Sequence, residues 1–252
     1  MDKYFEINKG GHNIRCKIYA DDLKSTEKVI LFIHGFAGHK DNGTAQKLAD
    51  RILSKNKNTA VLIFNLPSHG DDVKKKIVLS DCLEYIEIVL QYIKENLHTD
   101  FIFGCATSFG GYLTLKYISL HGSTFKRIVL RCPAVNMYEV LSKTIMSDDE
   151  LHRIQKGKTV SVGFDRKIEV GAPFLADLQS ADILTEDLSR FADDILVLHG
   201  TADEVVPFEV SKAFAQKNGF GFIAVDGADH RFQSPGWIDF TTKEIIRHYG
   251  LL

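Results

Sequence analysis

Short runs that are apolar at nearly every position punctuate this chain: Val29-Ile30-Leu31-Phe32-Ile33, Ala60-Val61-Leu62-Ile63-Phe64, Phe101-Ile102-Phe103, Arg127-Ile128-Val129-Leu130, Ile195-Leu196-Val197-Leu198 and Phe222-Ile223-Ala224-Val225. A strand that is apolar on both faces must be covered on both, as happens when helices pack on each side of a parallel sheet. Helical patterns fall between the runs, at Ala45 to Ser54, Asp81 to Asn96, Gly110 to Leu120, Glu209 to Gln216 and Trp237 to Tyr249. In the second of these, Leu83, Ile86, Val89, Leu90 and Ile93 recur at three- and four-residue steps and form one apolar face, with Ser80 expected as N-cap. The alternation predicts an α/β architecture with a mostly parallel sheet. Ahead of it, two period-two segments around Gly10-Gly11-His12-Asn13 predict an antiparallel hairpin.

One interval breaks the rhythm. From about residue 135 to about 190 the chain is richer in charge and carries a possible hairpin, Thr159 to Phe164 with Ile168 to Gly171 across Asp165-Arg166-Lys167. An insertion above the sheet, a candidate lid, is expected there within a single domain spanning 1–252; an ordinary crossover is the alternative.

Bulk properties exclude several classes. A formal charge of -2, and a lone basic run at Lys74-Lys75-Lys76 without interleaved aromatics, argue against a nucleic-acid partner. No apolar leader or span of eighteen apolar residues stands out, so no membrane partner is expected. Cys16, Cys82, Cys105 and Cys132 share no C-x-x-C spacing and sit in apolar segments, which suits buried thiols and a cytoplasmic location. The ten histidines show no metal-ligand spacing, so neither metal nor cofactor is expected.

Open parallel sheets gather their sites beyond the carboxyl ends of the strands, which makes the residues after each run informative. Phe101 to Phe103 leads into Gly104-Cys105-Ala106-Thr107-Ser108-Phe109-Gly110-Gly111. This is the strand-to-helix elbow G-x-S-x-G that holds a serine nucleophile, with Ala106 in the first glycine's place. Cys105 is the competing nucleophile. After Val29 to Ile33 comes His34-Gly35-Phe36; the backbone N–H groups of Phe36 and Phe109 are the candidate oxyanion donors, and His34 itself reads as structural. Two later loops supply an acid and then a base: His199-Gly200-Thr201-Ala202-Asp203-Glu204, and Asp226-Gly227-Ala228-Asp229-His230. A serine hydroxyl needs an imidazole to take its proton and a carboxylate to hold the imidazole's tautomer. Ser108, Asp203 and His230 are the candidates; Glu204 and Asp229 are the acid's rivals, and His199 and His248 read as structural.

These motifs, together with Asn65-Leu66-Pro67-Ser68-His69-Gly70-Asp71, resemble the α/β-hydrolase superfamily over nearly the whole chain. The similarity extends in particular to small microbial esterases of the cinnamoyl or feruloyl type and to serine-aminopeptidase-like and monoacylglycerol-lipase-like members. Asn65 stands for the usual Asp of a D-x-P-G-H-G-x-S loop and Ser68 for its first Gly. The resemblance implies an eight-stranded, mostly parallel sheet with helices on both faces, and a cap inserted after the sixth strand. It also implies hydrolysis of a small-molecule carboxylic ester through an acyl-enzyme, with an aromatic acyl group where the likeness to cinnamoyl and feruloyl esterases holds. Met137, Tyr138, Phe164 and Phe174 of the lid are expected to help line the acyl pocket, plain core packing being the alternative for each. The rival readings are an aminopeptidase, thioesterase or lipase, with Asp148-Asp149-Glu150 the one acidic run that could bind an amine, or a non-catalytic hydrolase-fold protein.

Overall fold

The computed structural model describes residues 2–163 and 167–251. The chain opens with β1 (Asp2–Lys9) and β2 (His12–Tyr19), which pair antiparallel from Lys9↔His12 outward. Gly10 and Gly11 form the two-residue turn, with φ of 61° and 79°, a conformation that suits glycine at both places. The turn is thus tighter than the four-residue cluster in the sequence suggests.

The apolar runs become β3 (Lys28–Ile33), β4 (Thr59–Phe64), β5 (Ile102–Thr107), β6 (Arg127–Arg131), β9 (Ile195–Gly200) and β10 (Gly221–Val225). With the N-terminal hairpin they make an eight-stranded sheet, order β1-β2-β4-β3-β5-β6-β9-β10, parallel from β4 onward. The two-faced apolar pattern has the expected cause. Val29, Leu31 and Ile33 of β3, with Ala60, Leu62 and Phe64 of β4, pack into the layer that holds α2 (Leu79–Asn96) and α3 (Phe109–His121). Their neighbours Ile30, Phe32, Val61 and Ile63 pack into the layer with α1 (Gly43–Leu53) and α8 (Pro235–Tyr249). A fifth long helix, α7 (Phe208–Asn218), joins β9 to β10. Ser80 lies inside α2, not at its start: Val78 is the N-cap and makes no side-chain cap bond. The buried Leu79 side chain draws the helix start one residue ahead of the polar cap that the sequence offers.

Between β6 and β9 lie α4 (Met137–Glu139), which runs on into a π-helical stretch at Val140–Ile145, then α5 (Asp148–Gln155), the hairpin β7 (Val160–Val162) and β8 (Ile168–Val170), and α6 (Ala172–Ser180). Phe164, Asp165 and Arg166 of the expected hairpin lie outside the described residues. Glu169 of β8 is tied to the lysine loop by Ile77 N–H to its carbonyl (3.0 Å) and by its own N–H to Lys75 O (2.9 Å). All four cysteines are buried free thiols. Among the described residues, no helix is long and apolar enough to cross a membrane.

Phe32, 1% exposed in the central strand, packs into the α1/α8 layer. Phe32→Ala should cost about 3–5 kcal/mol of unfolding free energy in urea titrations, the range for a truncated core aromatic.

Candidate active site

Four loops meet at the carboxyl edge of the sheet. Ser108 sits in the sharp turn from β5 to α3, with φ 54° and ψ -116°. Few L-residues accept that conformation, and the surroundings hold it in place. Its N–H donates to Arg131 O (2.9 Å) at the end of β6, and its carbonyl accepts from Tyr112 N (3.1 Å) and Ala134 N (3.1 Å). The serine side chain does not cap α3, so the amides at that helix N-terminus keep no bond from the N-cap hydroxyl.

The glycines of the elbow are required by backbone, not by the serine alone. A Cβ on Gly110 would stand 2.3 Å from Ile33 O and 2.6 Å from His34 O, so only glycine lets α3 abut the end of β3. Ala106, by contrast, is simply part of the apolar core beneath the turn, where a methyl group fits. Gly35 faces Ser108: a Cβ there would lie 3.2 Å from Ser108 Cβ and 3.8 Å from its Oγ. Phe36 follows in a turn closed by Gly38 N–H to Gly35 O (3.0 Å), with Ala37 at φ 61°.

His34 is buried and braces this turn. It accepts Leu66 N–H at Nε2 (3.1 Å), so Nδ1 carries the hydrogen and donates to Gly35 O (2.8 Å). Burial pulls its pKa well below the usual histidine range and keeps the ring neutral. The adjoining 65–71 loop explains its departures from the family pattern. Ser68, in the place of a glycine, has φ 70°. Asn65 accepts Lys40 N–H (2.6 Å) and donates to Asp71 Oδ1 (2.5 Å), a donor-and-acceptor role that an ionised aspartate could not fill. Burial alone would raise the Asp71 pKa, but Lys40 and Arg15 lower it to about 2.

Asp203 and His230 are brought together by a backbone seam. Thr201 N–H donates to Val225 O (3.0 Å) and Ala202 N–H to Ala228 O (3.0 Å), while a Cβ on Gly200 would stand 2.2 Å from Ala228 O. Asp203 Oδ2 thereby reaches His230 Nδ1 at 2.8 Å. Its Oδ1 accepts Val205 N–H (2.9 Å) and Val206 N–H (2.8 Å). A third side chain is there too: His199 Nε2 lies 3.1 Å from Asp203 Oδ2. Burial would raise the Asp203 pKa, but the bonds from His199 and His230 hold it far below the carboxylate range.

The rivals have other partners. Glu204 accepts the His230 backbone N–H (3.3 Å), and Asp229 Oδ1 accepts the N–H groups of Arg231 and Gln233 (both 3.1 Å). Cys105 is wholly buried, its thiol pushed up to about 11 by burial, which removes it as a nucleophile. His248 bonds Asp194 O (3.0 Å), away from the site. Phe174 meets the Phe109 ring edge-on at 6.2 Å, and Met137 lies in the same core cluster. Tyr138 is partly buried against that cluster; Phe164 lies outside the described residues.

Two features escape sequence reasoning. Arg131, 3% exposed, lies behind the elbow with its guanidinium over the Phe232 ring (5.0 Å) and one long bond to Thr107 Oγ1 (3.4 Å). Nothing in a strand-end arginine announces burial. His199's contact with the acid had a signal, its spacing four residues ahead of Asp203, but only folding shows that the ring turns toward it. Among the described residues, Cys132, Asp203 and His230 bring ligand-type atoms within 4.8 Å of one another. The Asp203 and His230 atoms are already bonded together, and burial raises the Cys132 thiol well above its ordinary pKa, so the set does not fit a cation. In His12, Asp81 and Glu84, the Lys74 ammonium bonds both His12 and Asp81 and fills the cation's place.

Residues 29–236 match the model of Uncharacterised protein family (UPF0227). The chain belongs to that family. No curated protein matches it. Among solved structures, Est1E from Butyrivibrio proteoclasticus, with ferulic acid bound, is similar at a TM-score of 0.76 and 18% identity, covering 96% of each chain. Alpha/beta hydrolase domain-containing protein 10 from mouse superposes at 0.73 with 14% identity, covering 97% of each. Monoacylglycerol lipase from Paleococcus ferrophilus does so at 0.64 with 17% identity, covering 95% of this chain and 99% of the other. The UPF0227 chain therefore has the α/β-hydrolase fold.

Gly110→Ala should destabilise by at least about 1–3 kcal/mol in urea melts, because the atoms it meets are backbone, whereas Ala106→Gly should stay within about 1 kcal/mol. Asp71, held to about 2, adds stability that is complete above its ordinary value of 3.8 and is lost as pH falls through 2. Asp71→Asn should therefore flatten the acid limb of stability between those two values, read by circular dichroism.

Proposed function

We propose that this protein is a serine hydrolase that cleaves small-molecule carboxylic esters through an acyl-enzyme. The observation that carries the reading is the 2.8 Å bond from His230 Nδ1 to the buried Asp203, in the same strand-end cluster as a serine with φ 54°. With Nδ1–H directed at the carboxylate, the Nε2 lone pair of His230 is left to take the Ser108 proton. Ser108 Oγ then adds to the ester carbonyl, and the amides of Phe36 and Phe109 receive the oxyanion; one such donor contributes on the order of 3 kcal/mol to lowering the barrier. His230 returns the proton to the leaving alcohol, and water attacks the acyl-enzyme by the same route in reverse.

Residues 135–190 take the part of a lid in this reading, supported by Phe174 of α6 packing edge-on against Phe109, the residue after Ser108. An aromatic acyl group is the narrower proposal. It is supported by the rings of Phe36, Phe109 and Phe174 near the elbow and by the likeness to a protein with ferulic acid bound. The peptidase alternative is the less supported: Asp148-Asp149-Glu150 form the first turn of α5, and Glu150 closes a capping box with Ser147, which accounts for that acid as a helix start.

The wild type should hydrolyse p-nitrophenyl acetate and methyl ferulate, turn over aminoacyl arylamides poorly, and take up a fluorophosphonate probe at Ser108. Ser108→Ala should lose at least about 10³-fold in kcat with its circular dichroism unchanged. Undiminished hydrolysis by that folded variant would defeat the assignment.

A further inference from the structure

The acid of the site serves two imidazoles. His199 is fully buried at the end of β9, with its Nε2 3.1 Å from Asp203 Oδ2 and 3.2 Å from Val206 O. Both neighbours are acceptors, so Nε2 carries the hydrogen. Its Nδ1 is buried with no partner among the described residues. A proton on Nδ1 would be a buried donor without an acceptor, which keeps the ring in the Nε2–H form. The Phe208 ring meets it edge-on at 5.6 Å and holds its plane.

We propose that His199 is a positioning residue for the Ser108, His230 and Asp203 centre: its N–H shares the carboxylate oxygen that His230 uses, and so sets how strongly Asp203 holds the His230 imidazole. The proposal rests on the serine hydrolase reading above for its kinetic consequences only. Two donors on one oxygen divide its charge, whereas Oδ1 is already committed to the Val205 and Val206 amides. The other groups facing this pair are the same in wild type and variants. The Cys132 thiol, just past β6 and within 4.8 Å, also hydrogen-bonds Asp203 and stays protonated, a weaker donor than an imidazole N–H. Glu204 accepts the His230 backbone N–H, and Asp229 bonds its own loop. The Arg131 guanidinium faces the Phe232 ring, and Ser108 lies across the elbow.

The test compares wild type with His199→Phe, which keeps the ring's bulk and removes the donor, and His199→Gln, which keeps an N–H at the reach of Nε2. Without the competing donor, the whole charge of Oδ2 faces the imidazolium of His230. The acidic limb of kcat/KM for p-nitrophenyl acetate should then move to higher pH by about half a unit to one unit in the Phe variant, with KM little changed. The Gln variant should return to the wild-type limb. The downfield proton of the His230 Nδ1–H, followed by nuclear magnetic resonance, should shift in the Phe variant and not in the Gln variant. That readout needs no turnover. If wild type hydrolyses no ester and takes no probe while the proton still responds, the hydrolase reading fails and the coupling stands. Should the Phe variant not fold, His199→Asn, too short to reach Asp203, takes its place. The proposal is overturned if the donor-free variant matches wild type in both readouts, if the Gln variant shifts as far as the Phe variant, or if no variant folds.

Discussion

A carboxylate removed from water must either be neutralised or be given hydrogen-bond donors on both oxygens. Asp203 takes the second course, with two backbone amides on Oδ1 and two imidazoles on Oδ2, its side chain fully shielded from solvent. Those four donors come from the end of β9, from the turn after it and from the loop after β10. Satisfying one buried charge therefore fixes the mutual placement of three chain segments. The seam between Thr201-Ala202 and Val225-Ala228 supplies the remaining rigidity, and the missing side chain of Gly200 lets the two loops touch.

Ser108, the proposed nucleophile, is placed by an analogous close approach on the other side of the site. Gly110 brings the first turn of α3 against the carbonyls of Ile33 and His34, so the elbow and the His34-Gly35-Phe36 turn are positioned by contact between main chains. The strained Ser108 backbone is held at its N–H by β6 and at its carbonyl by two amides. Strain of this kind costs on the order of 1–3 kcal/mol and persists only where neighbours over-determine it. Behind the turn, Arg131 joins the elbow to the His230 loop: it touches Thr107 on one side and the ring of Phe232, two residues past His230, on the other.

The departures from the α/β-hydrolase loop that residues 65–71 resemble have local reasons. An amide at Asn65 can accept from Lys40 N–H and donate to Asp71, and a carboxylate stands here at Asp71 instead, where Arg15 and Lys40 face it. Ser68 occupies a left-handed position where glycine would be unstrained. Its cost is offset within the turn, where its N–H donates to Asp72 Oδ1 (3.1 Å).

Periodicity alone determined the sheet, its helical layers and the break after β6, because burial on one or two faces leaves a direct imprint on the order of apolar residues. The elbow and the chain order of serine, acid and histidine were legible for a related reason: strand ends are visible as the places where apolar runs stop. Sequence order already favoured Asp203, which follows the Gly200-Thr201-Ala202 turn, over Glu204 and Asp229. What it could not supply was the contact itself: the Asp203 carboxylate reaches His230 only because two backbone loops meet at Gly200 and Ala228. The start of α2 went to the buried Leu79 over Ser80, since packing outweighs a cap worth about 1 kcal/mol. The burial of Arg131 and the turn of His199 toward the acid likewise depend on neighbours distant in the chain, which tertiary structure alone assembles.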